Sequence, residues 1–394
     1  MRPLDGITVV SLEQAVAAPF ATRQLADLGA RVIKVERPGT GDFARGYDER
    51  VRGLASHFVW TNRSKESLTL DVKHPAAAEV LERLVLEKAD VVVQNLAPGA
   101  AARLGLGYEV LAAKKPAIIV CDISGYGANG PYRDKKAYDL LIQSEAGLVS
   151  VTGTPEEPCK AGPSMADIAA GMYAYTNILA ALLQRGQSGR GQHIDISMLE
   201  SLAEWTSYPL YYAFDGAPPP PRTGAAHATI YPSGPFPTGA DGGSVMLGLQ
   251  NEREWQVFCH RVLEQPELAA DPRFASNAAR TAARDALRAI IVATFGAMTA
   301  AQVTARLDAA QIANARVNTM ADVWAHPQLR ARNRWTAVET PSGPVPALGP
   351  PGANDAAEVR MDAVPALGAH TDSLLAELGY DSAQLARLHA EGAV

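Results

Sequence analysis

Cysteine is scarce in this chain: Cys121, Cys159 and Cys259 are the only three in 394 residues, and no two are spaced as CxxC. An odd, scattered set suggests neither a disulfide framework nor a cysteine-ligated zinc site, and fits a reducing compartment. Long apolar runs are missing as well. The opening MRPLDGITVVSLEQ breaks its apolar stretch after a few residues, and no segment approaches the roughly 20 apolar residues of a membrane span, so the chain reads as cytoplasmic. No tract of one charge sign is present. A net charge of -6 and a pI near 5.8 argue against a nucleic-acid phosphate backbone as partner and leave small molecules. The GxxxxGK[ST] loop, HExxH, a strand-following GxGxxG and the GxSxG elbow are all absent, which removes the commonest nucleotide, metalloprotease and serine-hydrolase readings.

What is present is ample core material, 47% hydrophobic residues against 20% charged, in a chain long enough for about two domains. ITVVSL (7–12), RVIKVE, DVVVQNL and AIIVCDIS are short, β-branched runs. They alternate with the helical patterns of APFATRQLADLGA, AAAEVLERLVLEKA and YEVLAAKK. Strands alternating with helices imply right-handed βαβ units and a Rossmann-like open parallel sheet. A longer helix is expected over 166–184, then the strand HIDISML. The expected division is a large α/β domain over 1–205, a linker over 206–225 containing four consecutive prolines, a smaller α+β domain over 226–325, a second Pro/Gly-rich linker over 326–355, and a return over 356–394. The return holds a terminal helix capped by Thr371 or Asp372.

Candidate ligand contacts lie just after the predicted strands: Arg37, Lys65, Asn95 and Arg103. In open α/β sheets such positions hold anionic ligands, although each taken singly also reads as a solvated loop charge. A second candidate is Asp167 in GPSMADIAAGMY, where one carboxylate opens a small, apolar run. Pattern alone makes it an N-cap. It can also be a nucleophile held as an anion at a helix N-terminus, with Ala166, Ala169, Ala170 and Gly171 leaving room for a bulky reactant. Arg45, Arg50, Arg52, His57 and Arg63 crowd one further segment, and arginine forks suit carboxylates.

Eight stretches in order, AAPFATRQLADLGARVIKVERPGTGD, RSKESLTLDVK, VVVQNLAPGAAARLG, CDISGYGANGPY, KKAYDLLIQSEAG, SMADIAAGMYA, GRGQHIDISMLES and LGAHTDSLLAELG, resemble the family III CoA-transferases, a superfamily that also includes α-methylacyl-CoA racemase. The resemblance covers nearly the whole chain. It implies Asp167 as the nucleophile that accepts an acyl group from a CoA thioester, with CoA as substrate and no tightly bound cofactor or metal. It implies CoA contacts from Val16, Arg37, Leu70, Asn95, Arg103 and Lys136, and an interlocked homodimer. Racemases of the superfamily resemble this chain except that a histidine stands where it has Tyr138, and a phenol with a reference pKa near 10 is a poor base. Tyr138 is therefore expected to donate a hydrogen bond, and transfer is favoured over racemisation or non-catalytic CoA binding. The glycine run that formyl-CoA transferases carry over the site is replaced by a lid at 222–236 with Gly224, Ala225, Ala226 and His227, which speaks against formyl or oxalate transfer. With Arg45, His57 and His227 as candidate substrate contacts, the expected donor is succinyl-CoA and the expected acceptor itaconate, mesaconate, citramalate or a similar acid.

Overall fold

A computed structural model describes residues 1–352 and 357–394. Residues 353–356, at the junction of the expected second linker and the C-terminal return, lie outside the described residues. The chain divides into two compact units: 1–147 with 161–206 and 328–394, and 148–160 with 207–327. The segment 148–160, expected in the first domain, thus belongs with the second, and the expected linker after residue 327 belongs with the first.

The first unit is built on six parallel strands, β1 (Thr8–Leu12), β2 (Arg31–Glu36), β3 (Lys65–Thr69), β4 (Val91–Gln94), β5 (Ile119–Ser124) and β6 (His193–Ser197). Their order is β3-β2-β1-β4-β5-β6, that of dinucleotide-binding folds, reached here without the glycine signature. Val9, Val10, Val92, Val93 and Val120 are fully or almost fully buried, as strands covered on both faces require. Leu374, Leu375 and Leu378 from the last part of the chain join the core formed with Leu68, Leu81 and Leu84. The helix there, Thr371–Glu377, starts at His370 without a side-chain cap. Thr371 instead accepts a bond from the backbone N–H of Thr69, 3.0 Å away, so it ties the C-terminal segment to β3 and is not the expected cap.

The second unit is α+β. Strands β7 (Ser233–Pro237), β8 (Ser244–Gly248) and β9 (Asn314–Arg316) form an antiparallel sheet. Trp255, Phe258, Phe274, Phe295 and Leu307 fill its core. In the first unit, residues 335–348 of the expected linker fold as a hairpin of β10 (Trp335–Val338) and β11 (Val345–Leu348).

The helix Met165–Ser188 is, among the described residues, long and apolar enough to cross a membrane by length and composition. Its apolar side is used inside the protein, where Ala166, Ala169, Ala170, Gly171, Ala174, Ile178 and Ala181 are buried. These small residues serve packing instead of leaving space for a ligand. A Cβ on Gly171 would lie 2.7 Å from the Ala17 carbonyl oxygen and 2.9 Å from a Phe20 ring carbon. Gly171→Ala gains roughly 1 kcal/mol of helix propensity but forces two backbones apart, a cost of about 1–3 kcal/mol. Because the closer contact is to backbone, the clash should win: the urea midpoint is expected to fall, and a rise would show that the two helices can slide apart freely.

Candidate active site

Sheet order reverses between β1 and β4, and in open α/β sheets the loops leaving the strands at such a reversal bound the ligand site beyond their carboxyl ends. Four of the sequence candidates sit just past strand ends: Val16 after β1, Arg37 after β2, Leu70 after β3 and Asn95 after β4. Their roles differ. Asn95 spends its amide on the β1 loop, Oδ1 accepting from the Gln14 N–H at 2.8 Å and Nδ2 donating to the Gln14 carbonyl at 2.9 Å. It is a clamp across the switch point, and its side chain is not open to a ligand. Leu70 is buried in the core at 2% exposure, and Val16 is buried where the helix Ala17–Asp27 begins. Arg37, Arg103 and Lys136 are exposed and form no ion pair among the described residues. The neighbouring Lys135 is engaged, pairing with Glu145 and lying over the ring of Tyr132.

Beneath the crevice lies a cluster of charges out of water. Glu13 accepts from Lys65 Nζ at 2.6 Å and lies 3.4 Å from Lys34 Nζ, which also donates to Asp42 at 2.7 Å. All four side chains are fully buried. Burial pushes the Lys65 ammonium down to about 7, while the two ammoniums hold the Glu13 carboxyl below its ordinary range despite the burial that opposes them. Lys65 is thus internal, a correction to its reading as a ligand contact. Asp42 also accepts from the Ala15 N–H at 3.0 Å and the Ala44 N–H at 2.9 Å. Ala15 has φ +62°, a left-handed conformation that costs a non-glycine residue roughly 1–2 kcal/mol, and this bond helps to hold it there.

The arginine segment is corrected in the same way. Arg45 forms a fork onto Glu36, two bonds of 2.8 Å, and stacks 3.7 Å from the centroid of Phe58. Opposed by burial, that fork and Lys34 still hold the Glu36 carboxyl down at about 2. Arg63 forms its own fork onto Asp27 at 2.8 and 2.7 Å. Arg45 is therefore spent internally. His57 stands edge-on to Tyr47, with ring centroids 5.4 Å apart, and its Nδ1 is buried without a hydrogen-bond partner.

Asp167 is not the cap of its helix. Ser164 holds that position and makes no side-chain cap bond. The cap comes from elsewhere in the chain: Asp139 Oδ1 accepts from the backbone N–H groups of Ala166, at 2.8 Å, and Asp167, at 3.3 Å. Asp139 is steadied by Gln143, whose amide donates to its other oxygen at 2.7 Å while accepting from the Ala161 N–H at 2.9 Å. Burial, and after it the Asp139 charge, push the Asp167 carboxyl up to about 7. The helix N-terminus pulls the other way. Tyr138, the residue before the helix Asp139–Glu145, is 69% exposed. Tyr47 lies near both Asp167 and Tyr138, and burial together with Asp42 and Asp167 pushes its phenol up to about 12. Tyr47, Asp139 and Gln143 escaped the sequence reading. The tyrosine followed directly by aspartate in KKAYDLLIQ was the available sign for Asp139.

His227 lies in the second unit. Its Nδ1 accepts from the N–H groups of Thr229 and Ile230, each at 3.1 Å, so that nitrogen shapes a turn in the 222–236 segment. The segment is pinned at its start, where Arg222 donates to the carbonyls of Ser150, Thr154 and Pro155.

With a Rossmann-ordered sheet and a half-desolvated carboxylate in the first turn of a long helix, the chain belongs to CoA-transferase family III, whose model matches residues 4–371. It is a CoA-transferase. It is 36% identical to the succinate--glutarate CoA-transferase of Agrobacterium fabrum, over 95% of this chain and 96% of that protein. It is 33% identical to the succinyl-CoA:glutarate CoA-transferase of Mus musculus, over 100% and 91%, and 34% identical to the succinyl-CoA--D-citramalate CoA-transferase of Chloroflexus aurantiacus, over 99% and 98%. Among solved structures, a CAIB/BAIF family protein from Brucella suis is similar with a TM-score of 0.83 and 36% identity, over 96% of this chain and 99% of that one.

Two outcomes follow for the carboxylate pair. Between the ordinary aspartate value near 3.9 and about 7, folded Asp167 keeps a proton that the unfolded chain releases, so stability falls as pH rises through that window. Asp167→Asn should therefore raise the melting temperature at pH 8 and leave it nearly unchanged at pH 4; equal shifts at both would show that Asp167 ionises normally. Asp139→Asn keeps an acceptor for the helix N–H groups but removes the charge, and should lower the Asp167 pKa. Titration of the Asp167 carboxyl by NMR reads this directly.

Proposed function

We propose that this CoA-transferase moves CoA from succinyl-CoA to a short dicarboxylic acid, such as itaconate, mesaconate, citramalate or glutarate, with Asp167 as the nucleophile. The observation that carries the reading is the Asp167 carboxylate, partly withdrawn from water and close to Tyr47, in a chain several of whose full-length relatives bear the names of succinyl-CoA-dependent transferases. A poorly hydrated carboxylate is a better nucleophile than one in bulk water, and a covalent intermediate divides a difficult exchange into easier steps.

The sequence of steps balances. The Asp167 carboxylate attacks the succinyl-CoA carbonyl, forming a mixed anhydride and releasing CoA thiolate. The thiolate attacks the Asp167 carbonyl, freeing succinate and leaving an enzyme–CoA thioester. The acceptor carboxylate attacks that thioester to give a second anhydride and thiolate again, and attack of the thiolate on the acceptor carbonyl yields the new acyl-CoA and restores Asp167. In this reading Tyr138 and Tyr47 donate hydrogen bonds to the carbonyl oxygen. On the same reading Arg37, Arg103 and Lys136, exposed and without an ion pair among the described residues, are the groups for CoA phosphates.

A homodimer belongs to the same reading. Leu183, Tyr211 and Phe214 are each at least 74% exposed, an apolar load that a partner subunit would cover. Light scattering at micromolar concentration should give twice the chain mass, and a monomer would contradict the assembly.

The substrate test mixes succinyl-CoA with a panel of acids and follows new acyl-CoA species by mass spectrometry. A dicarboxylyl-CoA formed by the native chain and absent with Asp167→Asn is expected. Exchange limited to monocarboxylates would overturn the acceptor class, and α-deuteration in heavy water without exchange would replace transfer by racemisation. Because the attacking form is the carboxylate, kcat/KM should rise with pH through about 7, the Asp167 value.

A further inference from the structure

The second unit holds a pocket of about 290 Å³ formed wholly from its own residues. Pro155, Ala225 and Ala226 give it apolar lining, and Arg284 and Arg288 give it charge. The two arginines lie four residues apart on the helix Arg284–Phe295, hence on one face. Tyr231 also lines the pocket. That tyrosine is 2% exposed, and its buried hydroxyl has Arg288 beside it but takes part in no hydrogen bond of full geometry. A buried hydroxyl so placed gains from a well-aligned ligand acceptor.

Neither arginine meets a carboxylate within ion-pairing distance among the described residues. Elsewhere in the unit, by contrast, Arg280 pairs with Glu252 and Arg273 with Asp271. Arg284 donates to the carbonyls of His227 and Ala228 at 2.9 and 3.1 Å and lies 4.8 Å from the Tyr231 ring centroid. Arg288 donates to the Pro235 carbonyl at 3.1 Å and lies 5.4 Å from the Phe236 ring centroid. Each guanidinium has five N–H donors, so these bonds fix both forks in place and leave donors for a ligand. Burial raises the Tyr231 phenol above its ordinary value, opposed by Arg288 and Arg284 and aided by Asp285. The hydroxyl thus stays protonated and able to donate at neutral pH.

We propose that this pocket binds a free carboxylate of a short dicarboxylic acid, with Arg284 and Arg288 pairing with its oxygens, the Tyr231 hydroxyl donating a further bond, and Ala225, Ala226 and Pro155 packing against its methylenes. Two planar forks match a carboxylate in shape as well as charge. The volume falls just below the usual range for ligand sites, which begins at about 300 Å³, and suits an acid of four to six carbons better than a nucleotide. The assignment rests on the reading that the acceptor is a dicarboxylate.

The test measures calorimetric binding of glutarate, butyrate, inorganic phosphate and CoA to the full-length Asp167→Asn protein, which does not turn over. The same titrations follow in that background with Arg284→Gln and Arg288→Gln together, and with Tyr231→Phe. Glutarate is expected to bind at least tenfold more tightly than butyrate, the arginine pair variant to lose that margin, and Tyr231→Phe to weaken glutarate several-fold. Arg288→Lys, which keeps the charge and loses the fork, should fall between, and serves if the double variant does not fold. Unchanged glutarate affinity in the variants, or loss of phosphate or CoA binding in its place, would overturn the pocket assignment. If the native chain exchanges only monocarboxylates, the acceptor reading fails; if it exchanges dicarboxylates while the variants bind glutarate as before, only the pocket fails.

Discussion

The reversal of strand order between β1 and β4 is the constraint on which the first unit depends. Two loops must leave neighbouring strands in opposite directions without collapsing the crevice between them. In dinucleotide-binding folds glycines make that turn. Here Ala15 makes it in a left-handed conformation, fastened by Asp42 and flanked by the Asn95 clamp on Gln14. The loop is thereby stiff at its base, while Arg37, Arg103 and Lys136 are exposed and form no ion pair among the described residues.

That rigidity draws on a cost accepted deeper in the protein. Glu13, Lys34, Asp42 and Lys65 are buried charges, and a buried ion cluster of this kind contributes little net stability because desolvation consumes most of the attraction. Its worth is geometric: the same Asp42 carboxylate that answers Lys34 also holds Ala15 and Ala44 in place. Asp139 repeats the pattern. It caps a helix that begins more than twenty residues later in the chain, and in doing so places a negative charge beside Asp167, so one side chain both orients the helix and tunes its carboxylate.

The α/β class and the parallel strands were legible because β-branched runs such as ITVVSL and AIIVCDIS leave few alternatives to buried strands. Asp167 was legible as a residue of interest, but its relation to the helix start was not, since a cap supplied from residue 139 has no local spacing to betray it. Arg45 misled for a physical reason. The planar fork that suits a substrate carboxylate suits Glu36 equally well, and sequence does not say which carboxylate arrives first. Arg284 and Arg288 were passed over for the opposite reason: in an alanine-rich helical pattern they resemble a solvated face, and only folding brings Tyr231 and the alanines of the 222–236 segment alongside.

The central claim is that Asp167 itself becomes acylated, and trapping tests it most directly. The protein is mixed with succinyl-CoA alone, treated with hydroxylamine, digested, and its carboxylate-bearing peptides are weighed. Hydroxamate on the Asp167 peptide, dependent on succinyl-CoA and missing in Asp167→Asn, is the predicted result. Unmodified Asp167 in a preparation that exchanges CoA, or hydroxamate on Asp139 in its place, would contradict it.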